Sequence, residues 1–319
     1  MDGCPNLTVG LLKLMKDQVK AANPEQEFFF LHCIIHQEVL SKTVLKLTHV
    51  VDTVTKVVNF IRGKALNHRQ FVTLLEESES EYTDLPYHSN VRWISLGKVL
   101  KRVRDLKSEI DAFLETKVRD GDFPQLKDAD WLADFAFAVD VMGFMNELNC
   151  KLQGKCQFAH EMYSLVKAFM TKLLLFSYQL ESGNIAHLPT LQQQSPPADK
   201  RERYATLLRA LHGEFLHRFE DFRRLENEMA LVSSPFICSV DTTTDDLQLE
   251  LIDLQSDALL AEQFKTVPLP QFYAFLNAQT FPRFRAHAQK MLVLFETTYI
   301  HSPKGLLGTP VQFLINAII

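Results

Sequence analysis

Two features that would point directly to a class of function are missing from the composition. The 319 residues carry 34 lysines and arginines against 39 acids, a net charge of −5, whereas a chain built mainly to hold nucleic acid usually has a basic excess. Long apolar runs are missing too, since the most apolar stretch, residues 306–319, is shorter than the roughly 20 residues of a membrane span and is interrupted by polar residues. The composition therefore excludes a membrane span and limits any DNA contact to a local patch.

Cysteines are few and are not grouped. The five that are present, Cys4, Cys33, Cys150, Cys156 and Cys238, are odd in number and scattered. With no signal peptide at the N-terminus, this predicts reduced thiols in the cytosol or nucleus. No repeat of fixed period is found. The remaining composition, 46% hydrophobic and 23% charged, is ordinary for a globular protein of, by length alone, about two domains.

Helical spacing of apolar residues dominates the chain after residue 36 and predicts a mainly α fold. The clearest amphipathic pattern lies in residues 90–118, where the stripe consists of Leu96, Val99, Leu100, Val103, Leu106, Ile110, Phe113 and Leu114. Further helices are predicted at about residues 7–22, 37–64, 67–79, 128–148, 156–182 and 198–230, within 241–257, and at 283–299. Asn67 and Asp128 are the expected helix caps.

Three other stretches have distinct compositions. Residues 28–34 form a continuous apolar run, which predicts a buried strand. Residues 76–84 hold five acids and no base and predict a solvated loop without a specific role. Residues 192–197, polar and rich in proline, are the best candidate for a linker.

One basic patch has the size of a DNA contact. Residues 92–107 hold six positive charges against one acid, and Lys98, Lys101, Arg102 and Arg104 occupy the arc of the helix that the apolar stripe leaves free. Arg92 and Trp93 stand at the start of this helix, where the indole could stack on a base or serve as a hydrophobic staple. A solvated helix face is the alternative interpretation of the basic arc.

Cys33 and His36 follow the apolar run 28–34 directly. With His32 they could begin a zinc site, but zinc needs four ligands, usually in two pairs, and no second pair stands at a suitable distance. A buried thiol beside a hydrogen-bonded histidine is the favoured interpretation. We therefore expect neither a metal nor a cofactor.

Residues 33–36 (C-I-I-H) resemble the C-x-x-H element of the hAT superfamily of DNA transposases. Residues 2–5 (D-G-C-P) are similar to the T-D-G-x-P segment of that family, and Arg92-Trp93 to its Arg-Trp pair. Each motif is weak alone, but their order and the similarity over about residues 2–300 make the resemblance strong. It implies an RNase H-like core in which three carboxylates hold two Mg²⁺ ions, and a helical insertion whose Trp stacks on a flipped base.

The resemblance also implies that the catalytic carboxylates are not intact. Asp2 matches the second metal-binding carboxylate, and the first would lie upstream, where only Met1 stands. Residues 297–302 are similar to the family segment S-T-Y-x-C-E, and Ser302 stands where the third carboxylate, a Glu, is expected. A serine hydroxyl is uncharged at neutral pH and cannot replace a carboxylate on Mg²⁺. We therefore expect no transposase activity and no other enzyme function.

The resemblance implies four segments: a truncated RNase H-like core remnant at 1–38 with one strand, a large all-helical insertion domain at 39–280, a C-terminal helix returning to the core at 281–302, and a divergent tail at 303–319. The strands that would pair with residues 28–34 are expected upstream of this chain. The strand therefore needs cover from local helices or from a partner chain.

Two functions from different classes remain. The first is a catalytically inactive, domesticated module for protein interaction or dimerisation in a transcription-related context, in the nucleus rather than the cytoplasm. The second is a residual, sequence-tolerant DNA-binding protein that uses Arg92, Trp93 and the basic arc, with weak affinity. A decayed copy without selected function is a third reading. None of these implies a small-molecule substrate or a membrane.

Overall fold

A computed structural model describes residues 42–86, 94–117, 123–153 and 158–295, together with the isolated positions 13–14, 17–18 and 21. Throughout these residues the regular secondary structure is helical, and they contain no strand. This confirms the expectation of a mainly α chain. The strand predicted at 28–34 lies outside the described residues, and of the RNase H-like remnant predicted at 1–38 the structure describes positions 13–14, 17–18 and 21 alone, all helical.

Fourteen helices are named here in chain order. They are α1 (Thr48–Arg62), α2 (Ala65–Glu77), α3 (Ile94–Asp105), α4 (Lys107–Lys117), α5 (Ala129–Leu152), α6 (Ala159–Glu181), α7 (Pro189–Gln194), α8 (Ala198–Arg218), α9 (Glu220–Arg224), α10 (Glu226–Ser233), α11 (Asp245–Ser256), α12 (Ala258–Thr266), α13 (Leu269–Phe275) and α14 (Pro282–Phe295). Short 3-10 turns occur at Lys42–Leu45, Pro124–Lys127 and Val240–Thr242.

The described residues form two compact units. The first unit contains residues 42–86, 94–117, 123–153 and 161–220, and the second contains residues 158–160 and 221–295. The stretch 192–197 lies inside the first unit, so the prediction of a linker there is wrong. The four segments predicted from the sequence stay predictions.

Helix α5 is the centre of the first unit. Its side chains from Trp131 to Met142 are buried all around the helix, apart from a partly exposed Leu132, and α3 and α7 make its most extensive contacts. The N-terminus of α5 begins as predicted, because the Asp128 carboxylate accepts a hydrogen bond from the Asp130 N–H at 3.1 Å. Asn67 is not a cap: it lies within α2, and its amide donates to the Phe60 carbonyl at 2.9 Å.

Helix α3 approaches α5 at Gly97. A Cβ atom at this position would lie 2.9 Å from the carbonyl oxygen of Met142, so the two backbones meet where no side chain intervenes. The stripe predicted over residues 90–118 is buried at all eight positions, which confirms it. It is divided between α3 and α4, which are interrupted at Leu106.

The short helix α7 is attached to α5 by a carboxylate from a distant part of the chain. Asp140 accepts hydrogen bonds from the backbone N–H groups of Thr190 at 3.2 Å and Leu191 at 2.9 Å. Burial raises the pKa of Asp140, and these hydrogen bonds oppose that effect. The cap explains why the segment before residues 192–197 is packed against the core.

The second unit is organised around α11 and α14. Leu247, Leu251 and Leu254 of α11 are buried, which confirms the helix predicted within residues 241–257. Glu250 of the same helix accepts hydrogen bonds from the N–H groups of Arg283 at 3.1 Å and Phe284 at 2.7 Å. This carboxylate caps α14, which begins at Pro282 as predicted.

Candidate functional site

The motif residues that carry the resemblance lie outside the described residues. These are Asp2, Cys33, His36, Arg92, Trp93 and Ser302. Among the described positions, no group of three or more His, Cys, Asp or Glu side chains could hold a metal ion. No described helix is both long and apolar enough to cross a membrane. Four groups of described side chains are candidates for a functional site. They are the basic residues of helix α3, the loop beside it, a polar cluster on α5, and the surface of the second unit.

The four basic residues predicted on α3 separate into two pairs. Lys98 and Lys101 are exposed, and neither forms an ion pair with another residue that the structure describes. Arg102 instead stacks on the ring of Tyr82, with 3.7 Å between the guanidinium carbon and the ring centroid, and donates to the Asp84 carbonyl. The Nε of Arg104 lies 2.8 Å from an oxygen of Asp105. Only the two lysines are therefore fully available to a partner.

Four of the five acids at 76–84 are exposed, in keeping with the predicted solvated stretch, whereas Asp84 is half-buried and has a structural role that was not predicted. The Asp84 carboxylate lies 2.9 Å from His68 Nε2 and 3.2 Å from the guanidinium of Arg62. The hydroxyl of Tyr82 donates to Asp105 at 2.8 Å, and this hydrogen bond raises the tyrosine pKa. The loop is thus fastened to α1, α2 and α3, directly before the segment that contains Arg92 and Trp93.

A polar cluster is centred on the buried Asp134 of α5. We call it the Asp134 cluster; its other members are the buried Lys200 and Tyr204 and the exposed His49 and Arg203. The Tyr204 hydroxyl donates to Asp134 Oδ1 at 2.6 Å, and His49 Nε2 lies 2.9 Å from Oδ2. Lys200 Nζ lies 3.3 Å from Oδ1, and Arg203 3.6 Å from Oδ2. The cluster joins α1, α5 and α8 across 66–85 residues of chain.

The protonation of this cluster is set by competing effects. Burial, the largest effect, raises the pKa of Asp134, but hydrogen bonds from Tyr204 and His49 and the charges of Lys200 and Arg203 together hold it below its ordinary value. Burial and the bond to Asp134 raise the pKa of Tyr204. Both carboxylate oxygens therefore face donors, and the cluster serves to lock three helices together rather than to do chemistry.

Sequence reasoning missed this cluster, although one signal was present. Residues 131–142 are apolar on every face of the helix except at two acids, Asp134 and Asp140. A charged side chain within a helix that is buried all around needs a partner. The partners could not be named, because they come from α1 and α8, far away in sequence.

The second unit exposes apolar side chains to an unusual degree. Of the ten large apolar side chains that are exposed in the described part of the chain, five lie between residues 237 and 275. The three most exposed are Ile237 at 85%, Leu259 at 81% and Leu249 at 75%. Single exposed apolar residues are normal on a protein surface, but a concentration of them is typical of an interaction surface.

A cavity of about 420 Å³ also lies in the second unit. Its walls are formed by Phe158, Pro270, Tyr273, Ala274, Arg285, Gln289 and Leu292. Arg285 donates to the Leu276 carbonyl and Tyr273 to the Val232 carbonyl. The Tyr273 hydroxyl and part of the Arg285 guanidinium are therefore engaged within the protein.

The helices of the first unit have a counterpart among known protein families. Residues 32–181, which include α1 to α6, match the family model of the FAM200/GTF2IRD2 helical domain. The similarity to individual proteins extends further. The chain is 37% identical over 291 residues to "General transcription factor II-I repeat domain-containing protein 2" of Bos taurus, and 36% identical over 291 residues to the protein of the same name from Mus musculus.

These alignments cover 91% of this chain but only 30% and 31% of the two relatives. The chain therefore spans less than a third of the length of the curated relatives it matches. Their names describe transcription-factor-related proteins rather than enzymes. No solved structure matches this chain.

Proposed function

We propose that this chain is a catalytically inactive module, derived from an hAT transposase, that acts through protein contacts or self-association in a transcription-related, nuclear context. The observation that carries the proposal is the exposure of Ile237, Leu249, Leu259 and Phe275 within one small unit. The similarity to transcription-factor-related proteins over 91% of the chain supports the context.

The proposed inactivity rests on the residues at the catalytic positions of the family. Ser302 stands where a metal-binding Glu is expected, and a serine hydroxyl cannot replace that carboxylate on Mg²⁺. Purified protein with Mg²⁺ or Mn²⁺ should therefore leave a supercoiled plasmid intact. Nicking by the wild type that an Asp2→Ala variant fails to perform would contradict this part of the proposal.

The interaction role is tested by light scattering over a concentration series and by affinity capture from nuclear extract, comparing surface variants. Leu249→Glu combined with Leu259→Glu should abolish self-association or lose specific captured proteins. The matched control combines Leu66→Glu with Leu175→Glu, two exposed leucines of the first unit. A protein that stays monomeric and captures the same set with all three forms would refute the interaction role.

DNA binding is the second candidate function, and the exposure of Lys98 and Lys101 on α3 favours it. Reversing both charges to Glu should weaken binding to a labelled duplex and lower the slope of log affinity against log salt by about two, one counterion per lysine. Lys56→Glu with Lys172→Glu, two exposed lysines on other helices, is the control with the same net charge. Affinity without salt dependence, or equal loss in both variants, would exclude this site.

A further inference from the structure

The exposed face of α11 combines apolar and acidic residues in a regular order. Asp245, Leu249, Ile252 and Ser256 recur at intervals of three and four residues and are all exposed, so they form one line along the helix. The opposite face, with Leu247, Leu251 and Leu254, is buried in the second unit. Helix α11 thus carries two apolar residues, Leu249 and Ile252, on the face that the unit itself does not cover.

Ile237 is a further exposed apolar residue near the C-terminal half of α11. Gln255, which is three residues after Ile252 on α11, donates from Nε2 to the Pro235 carbonyl at 2.7 Å and to the Cys238 carbonyl at 2.9 Å. These two bonds hold the residues on either side of Ile237 against the C-terminal half of α11. Ile237 is nevertheless 85% exposed, so its side chain points away from the unit beside the α11 line.

The other flank of the line is acidic. Asp246 and Asp253 are exposed on the side of α11 nearer α14, and Asp245 stands at its start. Within the described part of the chain, none of these three carboxylates forms an ion pair, and residues 241–257 contain six acids and no base. Arg283 donates to the backbone carbonyl of Asp246 rather than to its carboxylate.

We propose that this surface, formed by Ile237, Leu249 and Ile252 with the acids Asp245 and Asp253, is a docking site for a basic amphipathic helix of a partner protein. The inference rests on the proposed interaction function and names its surface and its partner chemistry. Leucine or isoleucine on one face of the partner helix covers the apolar line, as in helix-in-groove recognition. Lysine or arginine on its flank meets the acids, which steers association and fixes the orientation.

The test uses the full chain and a synthetic amphipathic helix of about 18 residues with leucines on one face and lysines on the flanks. Binding is followed by fluorescence anisotropy of the labelled peptide. The same peptide with every Lys replaced by Glu, and one with the same composition in scrambled order, are the probe controls. We expect the basic peptide to bind and the two control peptides not to bind, and we expect the affinity of the basic peptide to fall as the salt concentration rises.

Two variants locate the binding surface. Leu249→Lys and Asp253→Lys should each weaken the peptide at least about tenfold, and because both positions are exposed, circular dichroism should show an unchanged fold. Leu66→Lys, at an exposed leucine of α2 (59%), adds the same charge to the first unit and should have no effect.

Three outcomes would overturn the inference. One is equal binding to wild type and Leu249→Lys, and another is equal binding of the basic and acidic peptides. The third is peptide-independent self-association that Leu249→Lys abolishes, which would make a second copy the occupant. If wild type and Leu249→Lys capture the same nuclear proteins, the proposed interaction function stands but this surface is not its site. The failure of this inference can therefore be distinguished from the failure of the proposed function.

Discussion

Replacing Asp134 by asparagine tests whether charge in the Asp134 cluster stabilises the first unit. The substitution keeps the size of the side chain, and the Tyr204 hydroxyl can still donate to the amide oxygen. What is lost is the negative charge that faces the ammonium of the buried Lys200 at 3.3 Å and the guanidinium of Arg203 at 3.6 Å. The expected result is a lower free energy of unfolding.

The magnitude follows from what remains around Lys200. Removing one partner of a buried ion pair typically costs about 3–5 kcal/mol, because the other charge is left buried without compensation. Here the Asp130 carboxylate stays 3.3 Å from Lys200 Nζ, and it is largely exposed, so it compensates in part. We therefore expect a loss of about 2–3 kcal/mol.

The assay is urea unfolding followed by the fluorescence of Trp131, which is buried one turn before Asp134 on α5. The chain has two tryptophans, so a Trp93→Phe background makes Trp131 the single reporter. Asp111→Asn, which breaks the surface pair of Asp111 with Lys107, is the control and should change the stability by less than about 0.5 kcal/mol. The slope against urea should not change.

The pH dependence has a definite sign. Because the pKa of folded Asp134 lies below its ordinary value, its contribution is present above the unfolded pKa of about 3.9 and is lost as pH falls through the folded pKa. The difference between wild type and Asp134→Asn should therefore be full near neutral pH and shrink in acid. A double variant with Lys200→Met should lose less than the sum of the two single variants, by about 1–2 kcal/mol. Strict additivity, or a loss that does not depend on pH, would refute the reasoning.

Three further predictions concern other contacts. Gly97→Ala should destabilise the first unit by about 1–2 kcal/mol in the same urea assay, because overpacking against the Met142 carbonyl outweighs the better helix propensity of alanine; a gain in stability would contradict the close approach. Tyr82→Leu removes the hydroxyl that binds Asp105, and hydrogen exchange should show residues 80–86 opening about tenfold more often, while exchange in α14 serves as the internal control. Burial lowers the pKa of His287, so the second unit should lose stability as pH falls below about 6.5. His287→Leu should reduce that loss, measured by amide hydrogen exchange corrected for the intrinsic exchange rates.

Much of the helix pattern could be predicted from the sequence, because apolar spacing and local caps are recorded within one element. The stripe over α3 and α4, the Asp128 cap of α5, and the helices α11 and α14 were all confirmed. Asn67 shows the limit of this reasoning. Its side chain satisfies the Phe60 carbonyl at the end of the preceding helix, a choice that depends on how α1 and α2 meet.

The contacts that were missed join residues far apart in sequence. Tyr82 and Asp105 are 23 residues apart, and Asp140 caps α7 across 50 residues. A loop fastened by such contacts has the same composition as a solvated one, so the composition of residues 76–84 did not reveal the structural role of Asp84. The stretch 192–197 was mistaken for a linker for the same reason, since its proline-rich composition does not reveal that the helix before it is capped by a core carboxylate.

The distribution of exposed charge favours a protein partner over DNA. On α3, Arg102 stacks on the Tyr82 ring and donates to the Asp84 carbonyl, and Arg104 pairs with Asp105, which leaves Lys98 and Lys101. Two lysines would release about two counterions from DNA, whereas roughly 6–10 phosphate contacts are typical of strongly salt-dependent binding. The exposed face of α11, by contrast, joins leucine and isoleucine to carboxylates without ion pairs. Such a face repels phosphate and attracts a basic helix, which is why we propose a protein partner rather than DNA for this surface.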